Sequence, residues 1–337
     1  MAGAARGGAE AFFERLALAQ HRAGLDVLAV IRRDAARAAR LTSGGVSPVE
    51  LPFGGPLDLL TGRRLRATLE AFRPRVVVAW MNRAAGFCRA ASRGAPWTLV
   101  GRLGGRYDLR YYRGCDVLVA NTRGLVEWIA SQDWPRERLK HLPNFANDFS
   151  GASPAPLGGP RRLLAMGRLH PNKDFSTLLR ALARLPDDAH LSLAGEGPER
   201  PGLESLAREL NITHRVTFLG WREDTGALLA GAELLIVPSR IEPLGNVVLE
   251  GFSAARPVIA AAADGPREVI EHERTGLLVP IGDDAALAES ISALLRDPSR
   301  AAALAAAGRI EYEVHHAEAP VLAQWRLFLE AAAMVRL

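Results

Sequence analysis

Leu234-Leu-Ile-Val-Pro238 and the Glu242-Pro-Leu-Gly-Asn-Val-Val-Leu-Glu250 that follows it make one stretch whose reading decides the fold. The first part is a short apolar run with β-branched residues, which reads as a strand buried on both faces. The second part turns at Gly245 and continues as an apolar helix. A strand that feeds a helix through such a turn aims the helix's first N–H groups at whatever lies beyond the strand, and those groups favour an anion. Glu242 stands before the helix and Glu250 more than a turn inside it, so one ligand bearing hydroxyls and negative charge can engage both. On spacing alone a second reading stands beside it, with Glu242 as a helix cap and Glu250 as a solvated helical residue.

The same alternation extends in both directions. Short apolar runs at 163–166, 191–194, 216–219, 234–237, 258–261 and 277–279 are separated by helical patterns, which predicts a parallel sheet covered on both faces, with ligands at the carboxyl ends of its strands. The first half repeats the pattern less regularly, with strands expected at 27–31, 46–51, 76–80, 98–101, 117–120 and 139–142. It too is expected to be a doubly wound α/β sheet. Turn formers from Asp148 to Pro160 read as the linker, giving domains at 1–150 and 151–315. A closing helical segment at about 317–335 carries Trp325, Leu327, Phe328 and Leu329 and is too apolar to stand alone in water.

Composition sets the bounds. A chain of 337 residues with 48% hydrophobic and 23% charged residues is an ordinary globular protein of two-domain size. It has no apolar run of the roughly 18 residues that a membrane span needs, and its first residues lack the pattern of a signal peptide, which points to the cytoplasm. Cys88 and Cys115 have no metal-ligand spacing and read as buried small residues. Residues 1–155 hold 23 Lys plus Arg against 13 Asp plus Glu, while the remainder hold 19 against 24. A basic front half suits a peripheral contact with an anionic membrane surface, on the cytoplasmic face of the inner membrane, or a phosphorylated acceptor. No nucleic-acid motif accompanies it. With 40 arginines to 2 lysines, scattered arginines from biased codon usage are an equal reading.

Candidate chemistry lies in the loops after strands. In Gly167-Arg-Leu-His-Pro-Asn-Lys-Asp174, Arg168 and Lys173 are placed to hold a diphosphate with two cations, or else are two solvated loop residues. His170 has no carboxylate partner at a useful spacing and reads as a loop residue. Gly195-Glu-Gly-Pro198 either lets backbone approach a ligand or is a tight turn. Gly7-Gly-Ala-Glu10 opens a helix whose N–H groups, Gly8 among them, can face a phosphate. Trp221 and Arg222 are weak candidates for flanking a base. No Asp-x-Asp pair follows a strand, so neither a divalent metal nor another cofactor is expected.

Taken together, Gly7–Glu10, Leu142-Pro-Asn-Phe-Ala-Asn-Asp148, Gly167-Arg168 with Lys173, Gly195–Pro198 and Pro238–Glu250 resemble family 4 of the retaining GT-B glycosyltransferases. The resemblance implies two Rossmann-like domains facing across a cleft, with a C-terminal helix at 316–337 crossing back to the first. It implies a nucleotide-sugar donor, with catalysis by Arg168, Lys173 and Glu242 and donor binding by Gly8, Gly195, Leu244, Gly245, Asn246 and Glu250. It implies a metal-independent transfer to a cell-envelope glycan or glycolipid such as lipopolysaccharide core. Asn82, Arg83, Arg102, Arg106 and Tyr107 are the acceptor-side candidates, with loop residues of structural importance as the competing reading; no catalytic base is identified. Relatives open with a strand before the Gly-Gly loop, whereas only six residues precede Gly7, so a start upstream of Met1 is expected. A sugar-nucleotide epimerase of the same fold and an inactive scaffold are the alternatives.

Overall fold

The computed structural model describes residues 1–4, 7–55 and 58–335. They form two compact units, Met1–Asn144 with Glu318–Leu337, and Phe145–Ala317.

In the first unit the strands are β1 (Val30–Arg32), β2 (Val49–Leu51), β3 (Val76–Trp80), β4 (Thr98–Leu103), β5 (Val117–Ala120) and β6 (Leu139–His141). In the second they are β7 (Arg161–Met166), β8 (Ala189–Ala194), β9 (Val216–Gly220), β10 (Leu234–Val237), β11 (Val258–Ala261) and β12 (Leu277–Val279).

The second unit is one parallel sheet in the order β12-β11-β10-β7-β8-β9. Its strands are apolar without interruption because both faces are covered. Leu163, Ala165, Leu234 and Ile236 enter one core, with Leu178, Leu182 and Ile291 from helices. Leu164, Leu235 and Val237 enter the other, with Leu228, Val248 and Phe252. Successive residues of a strand point to opposite faces, so this division is the pleat itself. The order reverses between β7 and β10, and the crevice at the carboxyl ends of those two strands is where such sheets bind ligands.

The first unit has two parallel sheets, β1-β2 and β3-β4-β5-β6. Asp34, Asp58 and Thr122 cap its helices by accepting from Arg37, Thr61 and Leu125 N–H groups. The helix Glu318–Ala332 belongs to this unit: Trp325 is fully buried, Thr98 Oγ1 donates to Ala332 O at 2.7 Å, and Arg22 Nη2 donates to both Glu318 carboxylate oxygens at 2.8 Å.

Most strand limits match the sequence reading within one or two residues, but the expected strand at 27–31 survives only as β1 and that at 46–51 only as β2. The reason is on the other side of residues 25–29, where an apolar cavity of about 190 Å³ lies between Val27–Val30 and Val76–Ala79. At its mouth the Met1 amino group donates to Val30 O at 2.7 Å and Arg32 N donates to Met1 O at 2.9 Å.

Candidate functional site

The loops after β7 and β10 meet at the switch point of the second sheet. After Met166 the chain passes Gly167 and the exposed Arg168, buries Leu169, and makes a single 3₁₀ turn at Pro171–Lys173. His170 caps that turn, its Nδ1 accepting from Asn172 N at 3.3 Å, which agrees with a loop role. Asp174 then takes the left-handed conformation (φ 49°) and its buried carboxylate accepts from Ser176 and Thr177 hydroxyls as the next helix begins.

This turn presents Lys173 to the second loop. Its Nζ donates to Glu242 Oε2, and both side chains are mostly screened from water, at 21% and 12% exposure. Ser239 Oγ donates to the same oxygen at 3.3 Å. The loops are also stitched through backbone: Arg240 N and Ile241 N donate to Asn172 O, and Arg240 Nε reaches Asp174 Oδ2 at 2.7 Å. Ser239, Asn172, Asp174 and Arg240 were missed in the sequence. Their short spacing from Glu242 and Lys173 was visible, but their convergence depends on β7 lying beside β10.

Gly245 ends the second loop in the left-handed region (φ 89°) and serves as N-cap of the helix Asn246–Ser253 without any side-chain cap. Leu244 is buried, and Gly265 N donates to Glu242 O at 2.8 Å, so a neighbouring segment fixes the carboxylate's backbone. Glu250 lies half-buried one turn into the helix, on the face of Asn246. Gly195 lies beneath the first loop: Gly167 N donates to Ala194 O, Gly195 N donates to Gly220 O, and a side chain on Gly195 would strike Gly167 O at 1.8 Å. Gly195 therefore supports the Gly167–Lys173 loop by close backbone approach. Beyond β9, Trp221 is exposed and Arg222 is paired with Asp224 at the surface.

The acceptor-side candidates lie in the first unit, at the carboxyl ends of β3 and β4. Met81 leaves β3 with φ 69°, a strained conformation for a residue with a side chain, and the helix Met81–Ala91 starts there. Asn82 follows, with a buried Oδ1 that has no partner among the described residues, and exposed Arg83 donates to Phe53 O at 3.2 Å. Asn121, beyond β5, likewise has a buried Oδ1 without a partner among the described residues; it was missed in the sequence.

Arg102 is placed differently from a surface contact. It is fully buried in β4, its guanidinium 4.9 Å from the Trp80 ring centroid and 5.2 Å from that of Phe12, and its Nη2 donates to Asn144 Oδ1. Burial pushes its pKa down to about 10, partly offset by Tyr107 and Tyr112. Arg106 is exposed, and burial pushes the Tyr107 hydroxyl up despite Arg102 nearby. Gly8 opens the helix Gly8–Arg22, where Glu10 turns back to accept from Ala4 N at 2.8 Å.

A doubly wound unit with a cation, a carboxylate and an uncapped helix start at its switch point, in a chain with a second unit of the same architecture, defines the GT-B class. Comparison with known proteins agrees. Residues 160–297 match the family model described as glycosyl transferases group 1, and residues 7–144 match that of the glycosyl transferase 4-like domain. The chain is 34% identical over 318 residues to the lipopolysaccharide core biosynthesis glycosyltransferase LpsD of Rhizobium meliloti, covering 90% of this chain and 89% of that one. It is 33% identical over 315 residues to LpsE of the same organism, with the same coverage. In fold it is similar to Anabaena Alr3699/HepE, crystallised with UDP, at a TM-score of 0.86 and 21% identity over 98% of both chains. The chain belongs to the family 4 glycosyltransferases of GT-B type, and it is a glycosyltransferase.

Proposed function

We propose that this enzyme moves a sugar, with retention of anomeric configuration and without a metal ion, from a nucleotide diphosphate to a cell-envelope glycan or glycolipid such as lipopolysaccharide core. The observation that carries the reading is the Lys173–Glu242 pair at the switch point, one turn from the uncapped helix at Gly245. Lys173 and Arg168 supply positive charge for a diphosphate, and the amide end of Asn246–Ser253 adds the field of a helix N-terminus. Glu242 accepts from hydroxyls of the donor sugar and Glu250 from those of the ribose.

The bond from the anomeric carbon to the β-phosphate oxygen breaks, and the acceptor oxygen bonds to that carbon on the same face. The acceptor's proton passes to the departing diphosphate. The chief task left to the protein is to stabilise charge on the leaving group, which fixed cations and amides do without reorganising. Two relatives named for lipopolysaccharide core synthesis support the acceptor class, and a structural neighbour holding UDP supports a nucleotide donor. The strained Met81 and the Asn82 oxygen, without a partner among the described residues, support the carboxyl edge of the first sheet as the acceptor's place.

The test is transfer from a panel of nucleotide sugars to lipopolysaccharide cores of graded truncation, with excess chelator present. The expected product keeps the donor's anomeric configuration by proton NMR. An inverted product, or turnover abolished by the chelator and restored by a divalent ion, would overturn the mechanism; no transfer to any core would overturn the acceptor.

A further inference from the structure

The helix Met81–Ala91 carries a stripe of residues that leads away from the carboxyl edge of the first sheet. Asn82, Gly86 and Arg89 stand at i, i+4 and i+7 on one face of it, with about 10 Å of helix between the first and the last. Beside Gly86 and Arg89 runs the 3₁₀ turn Leu109–Tyr112, and between turn and helix lies an open cavity of about 340 Å³ lined by Gly86, Arg89, Arg110, Tyr111 and Arg113. That volume falls in the range of small-ligand sites. Three guanidinium groups border it, and no carboxylate is in its lining.

Two glycines shape this space. Gly86 is unfavourable inside a helix, but it leaves room for Tyr111 over the helix backbone: a Cβ there would already be 3.5 Å from Tyr111 Cδ1. Gly114 seats Arg89, whose stem passes so close that a Cβ on Gly114 would strike Arg89 Cγ at 2.3 Å. Arginines that are merely solvated need no such seat. Asp108 caps the 3₁₀ turn by accepting from Arg110 N at 3.0 Å, and the same carboxylate accepts from Arg110 Nε at 3.0 Å and Nη2 at 2.6 Å. One carboxylate thus stands behind Arg110, while Arg89 and Arg113 have no hydrogen bond or salt bridge among the described residues.

We propose that this cavity binds an acidic sugar unit of the acceptor, its oxyanion held by Arg89 and Arg113 and its ring laid on Tyr111. The planar guanidinium fork matches a phosphate ester or a uronate carboxylate, and the exposed tyrosine ring offers an apolar face to the C–H face of a sugar. The inference rests on the reading of the Asn82 end as the acceptor's place and adds a charge to that acceptor. The reacting hydroxyl lies at Asn82, and the acidic unit lies further along the same helix face, within the span of one oligosaccharide.

Two measurements on the full chain keep this inference separable from the reading beneath it. The first is calorimetric titration, without donor or transfer, with galacturonate, glucose 6-phosphate, glucose and inorganic phosphate. Binding of either acidic sugar but not of glucose is expected, and the tighter of the two names the oxyanion. The double variant Arg89→Ala, Arg113→Ala is expected to weaken that binding at least about tenfold with little change in Tm, both side chains being exposed. Gly114→Ala removes no charge but displaces Arg89, and is expected to weaken it too; Tyr111→Ala is expected to weaken the sugar and not inorganic phosphate. The second measurement is transfer to cores before and after removal of their phosphate and uronate groups. The double variant is expected to raise KM for the acidic core at least about tenfold with kcat little changed, and to leave KM for the neutral core as it was. Transfer to no core at all would sink the acceptor reading, and the titration would still decide this one. Acidic sugars that bind the double variant as they bind wild type overturn the inference, as does inorganic phosphate binding as tightly as glucose 6-phosphate. So does binding to anionic phospholipid vesicles that the double variant loses while neither acidic sugar binds, since the arginines then serve a lipid surface.

Discussion

The Lys173 ammonium rests on the Glu242 carboxylate, joining the loops that follow the two strands flanking the reversal of strand order. Half-buried pairs of this kind hold a cation in place before the ligand arrives. If Lys173 stabilises a departing diphosphate, Lys173→Ala is expected to lower kcat about 100-fold or more, close to 3 kcal/mol, with a smaller change in KM for the donor. Glu242→Gln keeps the shape but removes the charge and is expected to lose at least about tenfold. Steady-state release of nucleoside diphosphate measures both, and wild-type kcat in either variant would remove that residue from the mechanism.

Asp148 and Arg309 form a second pair in the same unit, with both guanidinium Nη atoms donating to the carboxylate at 2.6 and 2.9 Å. The hydrogen bonds from Arg309 hold the Asp148 carboxyl well below its ordinary value. A depressed carboxylate pKa contributes stability that is fully present above the unfolded value, near 3.8, and is lost as pH falls through the folded one. Asp148 is half-exposed, so the contribution at neutral pH is discounted to about 1 kcal/mol. Asp148→Asn is expected to lower Tm by a constant amount above about pH 5 and by a shrinking amount below about pH 4. A deficit that grows toward acid pH would show that the pair is not its source.

The sheets were legible because a strand buried on both faces is written as an uninterrupted apolar run: β3, β5, β10, β11 and β12 were read to the residue. The site was legible only as positions. Lys173 and Glu242 are 69 residues apart, and their contact follows from β7 pairing with β10, a topological fact with no local signature. Arg102 illustrates the reverse limit. Following Gly101 and preceding Leu103-Gly-Gly105 it reads as the start of a loop, yet β4 continues through it because Phe12 and Trp80, distant in sequence, provide rings for its guanidinium.

The rings of Phe12 and Trp80 give the Arg102 guanidinium a geometric requirement. Removing that group leaves a cavity between two aromatic rings and takes one donor from Asn144 Oδ1, so Arg102→Ala is expected to cost about 3 kcal/mol in chemical denaturation. Arg102→Lys retains the charge but cannot stack as a plane, and is expected to recover less than half of the loss. Full recovery by lysine would mean that charge alone matters there.

Gly195 and Gly202 test whether backbone approach supports the Gly167–Lys173 loop. A Cβ on Gly195 would lie 1.8 Å from Gly167 O, and the φ of +151° is itself unfavourable to a side chain. The obstacle is backbone, which cannot swing aside as a side chain can, and it belongs to the residue that leads into Arg168 and Lys173. Gly195→Ala is therefore expected to cost about 2–3 kcal/mol of stability and to depress turnover beyond what the unfolded fraction explains. Gly202 sits inside the helix Arg200–Glu209 with nothing within 4 Å of an added Cβ. There alanine removes backbone freedom from the unfolded chain and suits the helix, so Gly202→Ala is expected to stabilise by about 0.5–1 kcal/mol with turnover unchanged. Thermal denaturation and initial rates on the two variants separate the effects; if Gly195→Ala folds and turns over like wild type, the loop does not depend on that approach.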